Sequence, residues 1–447
     1  MRVLVVGLAT TGGAVVAYTR AAGHDVTVLE DHPGGAGYEE RAQLAVAAGA
    51  ELVEEPDAAD AAARARAADL VVPSPGVRPG HPALVAADAA GIPVRSEIDL
   101  AAARIRSRPD APRLIAVTGT NGKTTVTTLI EAMVRAAGIT TVAAGNIGRP
   151  LLDAVGDDVA VVVAEVSSFQ LAFTTDAFAP DVAVLLNVAE DHLDWHGSSE
   201  EYGRAKARIF THQGPDGLLV VNGDDPVADA LAADAPGRVV RFTAGVPGPS
   251  GYGVRYGRLT GPGGALGAAT SNAPHDVANA LAAAAAAEAV GADAGAIART
   301  LAEFPGLAHR VQLVGDADGV RYYDDSKATN PHATISALAG FDHAVLIAGG
   351  RNKNLDLSGL RIHAPRLRAV VAIGEAADEI GATFAGLVPV VHATSMRDAV
   401  RAASERAEAG DVVLLSPACA SFDWYDSYAA RGDDFAREVA RLTEVHA

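Results

Sequence analysis

Short apolar runs alternate with alanine-rich, helix-like stretches along most of the chain. Residues 3–6 (VLVV), 114–117 (LIAV) and 182–186 (VAVLL) are entirely apolar, and each is followed by a turn. Fully apolar runs of this length are typical of parallel strands that helices cover on both faces. The pattern therefore predicts an α/β fold with mainly parallel sheets.

Three such series follow one another, and 447 residues are too many for one ordinary hydrophobic core. The charged, proline-containing segment 104–112 predicts a linker, and Phe304-Pro305-Gly306 marks the next boundary. We therefore predict three domains, at residues 1–107, 108–305 and 306–447. The predicted strands lie at residues 3–6, 26–29, 114–117, 159–164, 182–186, 320–323, 344–348, 369–373 and 412–415.

Two stretches rich in alanine or glycine need separate interpretation. Residues 277–290 are mostly alanine but include Asn279 and Glu288, so they predict a buried or amphipathic helix rather than a membrane span. Residues 261–269 predict a loop or a hairpin.

The balance of charge excludes several classes of partner. With 36 basic and 55 acidic residues the net charge is −19, whereas nucleic acid and anionic membranes require a basic surface. The chain opens on an apolar strand without the pattern of a signal peptide, and its single cysteine, Cys419, cannot form an internal disulfide. We expect a cytoplasmic protein in which Cys419 is a small core residue.

Lysine is unusually scarce. Four of the 36 basic residues are lysines, and the other 32 are arginines. Either residue supplies surface charge, but a guanidinium cannot replace a compact ammonium donor or an amine that loses its proton. The lysines are therefore candidates for chemistry, the alternative being that they survived a biased codon pool. They are Lys123, Lys206, Lys327 and Lys353.

A loop that follows the run at 114–117 has the features of a phosphate site. Residues 119–125 read GTNGKTT and precede a helical stretch of about four turns. Glycines let backbone N–H groups converge on phosphate oxygens, Lys123 can reach the β- and γ-phosphates, and the Thr124 hydroxyl can ligate Mg²⁺. Val117 stands where the usual pattern has a glycine, so the loop is a shortened variant. It predicts binding of ATP or a relative.

Oxygen ligands follow two neighbouring predicted strands. Glu165 follows the run at 159–164, and Asn187 ends the next strand and is followed by Glu190-Asp191-His192. Taken alone, each group is equally compatible with a helix cap or a solvated turn. Beside a phosphate loop, hard oxygen ligands at adjacent strand ends predict a Mg²⁺ site.

The first domain has its own glycine-containing turn. Residues 7–13 read GLATTGG directly after the first strand, and Glu30-Asp31 follow the second. This pattern resembles a dinucleotide-binding fingerprint in which Ala9 replaces the middle glycine. A dinucleotide-dependent oxidoreductase is therefore an alternative function, although it leaves the four lysines unexplained.

Together these motifs resemble the Mur ligase family over essentially the whole chain. The central ATPase domain of that family is matched at residues 119–125, 145–148 (GNIG), 165–171 (EVSSFQL), 187–192 (NVAEDH) and 202–210 (YGRAKARIF). Residues 324–330 (DDSKATN) and 416–423 (SPACASFD) resemble specifically the branch that adds D-glutamate.

The resemblance implies a ligase of peptidoglycan precursor synthesis, which joins D-glutamate to UDP-N-acetylmuramoyl-L-alanine through an acyl phosphate and releases ADP and phosphate. It implies Rossmann-like first and third domains around a P-loop-type ATPase domain, and a monomer that uses ATP and two Mg²⁺ ions. It also implies that Lys206 is carbamylated, which turns a cation into an anionic metal ligand, a change not open to arginine.

The resemblance assigns site residues by role. Catalytic residues are Lys123, His192 and Lys206. Metal ligands are Thr124, Glu165, His192 and Lys206. ATP is bound by Gly119, Thr120, Asn121, Gly122, Lys123, Thr124, Thr125, Asn279, Arg310 and Asp325. The UDP-linked substrate is bound by Thr10, Thr11, Glu30, Asp31, Ser74, Pro75, Gly76, Asn146, Ser167 and Gln170. D-Glutamate is bound by Lys327, Thr329, Lys353, Ser421, Phe422 and Tyr428.

Two departures from the family pattern are local. Ala172 stands where a carboxylate is expected, and Asp276 replaces an asparagine expected near the adenine pocket. Rival functions are a sister enzyme, such as a folate-polyglutamate ligase or a Mur ligase for another amino acid, and a nucleotide-binding regulatory module without chemistry. We also expect the third domain to close over the second about a hinge at residues 304–309.

Overall fold

The computed structural model describes residues 1–34, 37–268 and 273–446, with side chains as far as residue 442. The strands are β1 Arg2–Val6, β2 Asp25–Glu30, β3 Glu51–Glu54, β4 Leu70–Pro73, β5 Arg113–Thr118, β6 Thr141–Gly145, β7 Val161–Glu165, β8 Val182–Leu185, β9 Leu218–Asn222, β10 Arg238–Phe242, β11 Gly253–Arg255, β12 Arg258–Gly261, β13 Gly264–Ala268, β14 Gln312–Ala317, β15 Val320–Asp324, β16 Ala344–Gly349, β17 Leu367–Ile373, β18 Val390–His392 and β19 Val412–Ala418.

The α-helices are α1 Thr10–Ala21, α2 Tyr38–Ala47, α3 Ala58–Ala67, α4 Pro82–Ala90, α5 Glu97–Arg106, α6 Lys123–Ala136, α7 Leu151–Ala154, α8 Ser168–Ala172, α9 Leu193–His196, α10 Ser199–Thr211, α11 Pro226–Leu231, α12 Pro274–Ala289, α13 Ala294–Glu303, α14 Pro331–Leu338, α15 Ala377–Phe384, α16 Met396–Ser404 and α17 Tyr428–His446. Short 3₁₀ helices lie at Ala232–Asp234 and Ser358–Arg366.

The N-terminal sheet is parallel, with strand order β3-β2-β1-β4. The chain leaves β1 towards β2 on one side, and β4 pairs with β1 on the other. The carboxyl ends of β1 and β4 therefore form a topological switch point, where open α/β sheets bind their ligands. The predicted unit of strand, glycine turn, helix and strand at residues 3–29 is confirmed.

The central sheet has the order β10-β9-β8-β5-β7-β6 and is also parallel. Strand β5, which carries the phosphate loop, lies between β7 and β8. Strands β7 and β8 are buried along their whole length. Such burial explains why the sequence of this sheet reads as apolar runs without alternation. A separate antiparallel sheet, β11-β12-β13, contains the hairpin predicted at 261–269, of which residue 269 lies outside the described residues.

The third large sheet has the order β14-β15-β19-β16-β17-β18. Strands β15 to β18 pair in parallel, whereas β14 pairs with β15 in antiparallel fashion. The four strands predicted for this domain are confirmed. The edge strand β14 was not predicted, because its sequence QLVGDA has neither an apolar run nor a regular alternation.

The described residues form two compact units. The first consists of Met1–Val188, Trp195–Ala268 and Ala278–Ala302, and contains the N-terminal, central and small antiparallel sheets. The second consists of the described residues within 189–194, 273–277 and 303–446, and contains the third large sheet.

Helices α5 and α12 bear on the predicted linker and on the predicted alanine-rich helix. The linker predicted at 104–112 begins too early, because α5 continues to Arg106 with Arg104 and Arg106 in its last turn. Cations are favourable at a helix C-terminus, so these charges belong to the helix. The alanine-rich stretch 277–290 forms most of α12 and is largely buried, and no helix among the described residues is long and apolar enough to cross a membrane.

Candidate functional site

The phosphate loop connects the carboxyl end of β5 to the first turn of α6, as predicted. Gly122 has φ +86°, a left-handed conformation that favours glycine, and a Cβ there would lie 2.4 Å from Asn279 Oδ1. The Lys123 ammonium donates to the carbonyl oxygens of Gly119 and Thr120, at 2.8 and 3.0 Å. Lys123 thus lies over its own loop, with Asn279 beside it, as a phosphate-binding lysine requires.

Asn187 braces this loop. Its carbonyl oxygen and its side-chain Oδ1 accept the backbone N–H groups of Thr120 and Asn121, at 3.0 and 2.8 Å. Its Nδ2 donates to the Asn121 carbonyl at 3.1 Å. The prediction that β8 ends at Asn187 is two residues too long, since β8 ends at Leu185. Asn187 therefore positions the loop.

Glu165 is the last residue of β7 and pairs with Val117 of β5, which places its carboxylate beside the phosphate loop. The residue is only 3% exposed. Its Oε1 accepts from Asn146 Nδ2 at 3.1 Å, whereas its Oε2 is buried without a hydrogen-bond partner among the described residues. A buried carboxylate oxygen without a donor is costly, and a hard divalent cation satisfies it.

Close packing holds Asn146 against Glu165. Gly145 has φ +101°, and a Cβ there would lie 2.3 Å from the Glu165 carbonyl oxygen, so only glycine allows this approach. The Asn146 N–H donates to that same carbonyl at 2.8 Å. The predicted substrate residue Asn146 is thus brought to the predicted metal ligand.

Lys206 lies on α10 and is 1% exposed, so the alternative of a solvated surface lysine is excluded. Its Nζ lies 4.5 Å from the centroid of the Tyr202 ring, one helical turn earlier. The Tyr202 hydroxyl lies 3.2 Å from Thr120 Oγ1 of the phosphate loop. Tyr202, which the sequence did not single out, therefore links Lys206 to that loop.

Ser167 and Gln170 form a capping box at the start of α8. Ser167 Oγ accepts the Gln170 N–H at 3.2 Å, and Gln170 Oε1 accepts the Ser167 N–H at 2.9 Å. Both side chains are buried. Their immediate role is to fix the first turn of α8, a role typical of this residue pair.

The predicted UDP site lies at the switch point of the N-terminal sheet. Thr10 and Thr11 form the first turn of α1, whose free N–H groups and dipole favour an anion. A Cβ on Gly12 would lie 2.1 Å from the Gly7 carbonyl, so helix and turn approach too closely for any other residue. Ser74 Oγ donates to that carbonyl at 2.7 Å, which joins the β4 turn to the β1 turn.

Glu30 and Asp31 have different partners. The Glu30 carboxylate accepts the N–H groups of Leu8 and His32, at 2.6 and 3.0 Å, and so fixes the β1 turn. Asp31 Oδ2 lies 3.0 Å from His81 Nε2, and His81 Nδ1 accepts the Ala83 N–H. An open cavity of about 380 Å³ is lined by Asp31, His32, Glu55, Pro56, Ala58, Ala61, His81 and Pro82.

His192 belongs to the second unit. It has φ +54°, its N–H donates to Asp191 Oδ1 at 2.9 Å, and its Nε2 lies 3.7 Å from Asp191 Oδ2. Asp191 Oδ2 in turn accepts from Asn330 Nδ2 at 3.1 Å. Within this unit, the segment that carries His192 is therefore bound to the motif that carries Lys327.

The predicted D-glutamate residues follow the carboxyl ends of strands in the third sheet. Lys327 Nζ lies 3.8 Å from the centroid of the Tyr428 ring, a cation–π contact. The backbones of Arg351 and Ala420 exchange hydrogen bonds of 2.8 and 3.0 Å, which brings together the loops of Lys353 and Ser421. Among the other predicted D-glutamate residues, Thr329 is half-buried and its N–H donates to the Lys327 carbonyl. Ser421 is buried, and Phe422 is 60% exposed.

Arg431 joins the loop of Lys327 to the loop of Ser421, and the sequence predictions missed it. It is 1% exposed, and it donates to Ser326 Oγ at 2.9 Å, to the Ser326 carbonyl at 2.8 Å and to the Cys419 carbonyl at 3.1 Å. Burial lowers the pKa of Arg431 to about 10. As one of 32 arginines it carries no compositional signal, and its contacts with Ser326 span 105 residues of chain.

Asp325 and Cys419 are buried beside the same loops. Burial raises the pKa of Asp325 to about 7, against the effects of a 2.7 Å hydrogen bond from Ser416 and of the Arg310 charge. Burial also raises the pKa of the Cys419 thiol to about 12, so it is not a nucleophile. The prediction of Cys419 as a core residue is confirmed.

The two residues that depart from the family pattern, Asp276 and Ala172, both lie in helices. Asp276 lies in the first turn of α12, with its Oδ1 3.3 Å from His275 Nε2, and Ala172 is the last residue of α8.

Among the described residues, no three His, Cys, Asp or Glu side chains come together as a metal site. The predicted metal set has only Glu165 and His192 of these types, because its other members are a threonine and a modified lysine.

Comparisons with known proteins agree with this geometry. Residues 1–96 match the MurD-like N-terminal domain of Mur ligases, residues 117–248 the Mur ligase middle domain, and residues 309–419 the Mur ligase glutamate ligase domain. The chain is 45% identical to UDP-N-acetylmuramoylalanine–D-glutamate ligase of Frankia casuarinae, over 98% of this chain and 93% of the relative.

A second relative and a solved structure extend the comparison. The UDP-N-acetylmuramoylalanine–D-glutamate ligase of Thermobifida fusca is 39% identical, over 99% of this chain and 98% of its own length. The crystal structure of UDP-N-acetylmuramate–alanine ligase from Thermotoga maritima covers 100% of both chains, with a TM-score of 0.58 at 19% identity. The last similarity concerns the fold alone.

Proposed function

Because the chain belongs to the Mur ligase family, we propose that it catalyses the ATP-dependent addition of D-glutamate to UDP-N-acetylmuramoyl-L-alanine. The observation that carries this proposal is the placement of the phosphate loop and of Glu165 at the adjacent carboxyl ends of β5 and β7. The chain also matches ligases of that name over nearly their whole length.

The reaction has two steps. An oxygen of the alanyl carboxylate attacks the γ-phosphorus of ATP, the bond to the β-phosphate oxygen breaks, and ADP leaves. The amine of D-glutamate then attacks the carbonyl carbon of the acyl phosphate, phosphate leaves with the former carboxylate oxygen, and the amine loses a proton. Phosphoryl transfer asks the protein mainly for positioning and charge neutralisation.

The phosphate loop supplies both. Backbone N–H groups at the start of α6 bind phosphate oxygens, and the Lys123 ammonium exchanges its two loop carbonyls for the β- and γ-phosphates. Asn187 keeps the loop in this conformation. Asn279, Arg310 and Asp325 contact the base, the phosphates and the ribose, respectively.

Thr124, Glu165, His192 and the carbamate of Lys206 would hold Mg²⁺, as two ions. The buried Glu165 Oε2 without a donor fits this assignment, as does the burial of Lys206, since an ammonium is costly to bury and a carbamate ligand is not a cation. When bound, the ions withdraw charge from the phosphates.

The two organic substrates use the remaining residues. UDP binds at the switch point of the N-terminal sheet, with its diphosphate at Thr10 and Thr11 and the turn at Ser74, Pro75 and Gly76, and its uridine near Glu30 and Asp31. Asn146, Ser167 and Gln170 face the muramoyl-alanine end. D-Glutamate is bound by Lys327, Thr329, Lys353, Ser421, Phe422 and Tyr428, with Lys327 held over the Tyr428 ring.

Phosphate release tests the proposal against its sister functions. We expect release from ATP to require both UDP-N-acetylmuramoyl-L-alanine and D-glutamate, and to fail with L-glutamate, L-alanine or a folate acceptor. Release with another amino acid or acceptor would reassign the substrate. Reduction of NAD(P)⁺ without ATP turnover would instead support the dinucleotide-dependent alternative.

A further inference from the structure

Trp195 makes a long-range contact that the reaction described above does not use. Its indole Nε1–H donates to the Val77 carbonyl oxygen at 3.1 Å, across 118 residues of chain. Both residues belong to the first unit. Val77 directly follows Ser74-Pro75-Gly76, the turn after β4 assigned to the UDP-linked substrate.

The turn that Trp195 holds is fixed at its other end by the β1 turn. Val77 N–H donates to the Ser74 carbonyl at 3.0 Å, which closes the turn, and Ser74 Oγ donates to the Gly7 carbonyl at 2.7 Å. The Val77 side chain also packs on Gly7, since a Cβ there would lie 3.5 Å from Val77 Cγ2. A shift of Val77 therefore moves the backbone next to the diphosphate-binding start of α1.

The Trp195 ring is itself held by a cluster of aromatic side chains. Its centroid lies 5.0 Å from that of Phe169 and 6.0 Å from that of Phe173, both edge-on, and 4.4 Å from that of His196. His196 stacks on Phe169, and its Nε2 lies 3.0 Å from Ser168 Oγ. These contacts anchor the indole to α8, which begins three residues after Glu165.

The indole nevertheless retains contact with solvent. Trp195 is half-buried, in contrast to the buried tyrosine, Tyr202, which packs edge-on against His196. A ring whose only task is to fill a core is buried more completely, whereas a ring with an apolar body and a donating edge suits the rim of a ligand site.

On the basis of the proposed function, we propose that Trp195 is a positioning residue for the UDP-linked substrate. Its indole N–H fixes the turn at residues 74–77 against α8, and so presets the spacing between the diphosphate site and the residues at the end of β7. The substrate spans these two places, with its nucleotide at one and its alanyl carboxylate at the other. A preset spacing lowers the ordering cost of binding.

The variant Trp195→Phe keeps an aromatic ring and removes the N–H. Since a single hydrogen bond of this kind is worth about a 3–10-fold change in an equilibrium constant, we expect KM for UDP-N-acetylmuramoyl-L-alanine to rise about 3–10-fold. We expect kcat to change less than about twofold. KM for ATP and for D-glutamate should not change.

Trp424→Phe, the same exchange at the only other tryptophan, is the matched control and should leave KM for the UDP-linked substrate unchanged.

A purely structural role predicts a different result. Loss of packing alone would lower the thermal midpoint of Trp195→Phe and alter kcat and the KM of all three substrates together. A Trp195→Phe enzyme with the KM of the parent for the UDP-linked substrate, or with equal increases for ATP, would overturn the inference.

Fluorescence separates this inference from the proposed function. In the Trp424→Phe protein, Trp195 is the only tryptophan, and we expect UDP alone, without ATP or D-glutamate, to shift its emission. UDP that binds by equilibrium dialysis without changing the emission would contradict the positioning role while leaving the proposed function in place. A protein that binds no UDP would remove both.

Discussion

Lys123 is the single residue on which phosphoryl transfer depends most. Its ammonium lies within 3.0 Å of two carbonyl oxygens of the phosphate loop, which hold it over that loop until the phosphates replace them. Because it is compact and strongly hydrated, arginine is not an equivalent donor at this position.

We predict that Lys123→Gln lowers kcat by about 10²-fold or more, the effect of losing one preorganised charge donor. Phosphate release under saturating substrates measures the change, and the thermal midpoint without nucleotide should stay close to that of the parent. Lys123→Arg serves as the comparison and should not restore the rate. A Lys123→Gln enzyme with a rate within about tenfold of the parent would show that the loop is not the site of transfer.

Lys206, in contrast to Lys123, is buried. It is only 1% exposed and lies one helical turn from Tyr202. We predict that the native protein carries one added carbon dioxide at this lysine, detectable by mass spectrometry under non-denaturing conditions. Lys206→Arg keeps the charge but cannot form the carbamate, so kcat should fall by about 10²-fold or more. Lys206→Ala should regain part of that activity when a short carboxylic acid is added, and full activity of Lys206→Arg would refute the modification.

The sequence predicted some residues of the candidate site and missed others. The four lysines stood out because arginine is used almost everywhere else, and residues of contiguous motifs could be assigned by resemblance. Arg431 and Trp195 could not, and Asn187 was predicted as an oxygen ligand but not as the partner of the phosphate loop, because each acts through a contact with a distant segment. Such contacts are determined by topology, which a single sequence does not reveal.

At the scale of elements, α5 and α7 are joined by a buried carboxyl group. Glu97 on α5 accepts the N–H of Leu152 at 2.6 Å with Oε1, while its Oε2 is buried without a partner among the described residues. Burial raises the pKa of Glu97 from 4.5 to about 7, with Asp153 nearby adding to the effect. The neutral form is therefore the one that this packing favours.

This pKa predicts how stability depends on pH. A carboxyl whose pKa is raised on folding stabilises the native state fully below its unfolded pKa near 4.5, and that stability is lost as pH rises through about 7. Glu97→Gln, which keeps the acceptor, should therefore gain stability relative to the parent between pH 5 and pH 8. The gain should be on the order of 2 kcal/mol, or about 5 °C in thermal midpoint. Equal midpoint differences at both pH values would contradict the burial argument.

The order of strands and helices was largely predictable, whereas their ends and pairings were not. Apolar runs identified β5, β7 and β8 because strands buried on both faces need no polar positions. The linker prediction failed at α5 because the arginines that suggest solvent exposure also suit a helix C-terminus. Strand β14 lacked a pattern because it lies at a sheet edge.

For the whole molecule, the chain passes for the last time from the first compact unit to the second between Ala302 and Glu303, next to the hinge predicted at residues 304–309. An acyl phosphate must be protected from water, which domain closure achieves. We predict that the radius of gyration, measured by small-angle scattering, falls when an ATP analogue and UDP-N-acetylmuramoyl-L-alanine are both present. UDP alone is the control, and an unchanged radius with both ligands would exclude closure.

The acyl phosphate is the central claim, and the fate of one oxygen tests it most directly. UDP-N-acetylmuramoyl-L-alanine labelled with ¹⁸O in both oxygens of its alanyl carboxylate is incubated with ATP and D-glutamate, and the products are analysed by mass spectrometry. We predict one ¹⁸O in each phosphate released and one in the new amide. Unlabelled phosphate, or label in the nucleotide product, would contradict transfer of the γ-phosphoryl group to the carboxylate.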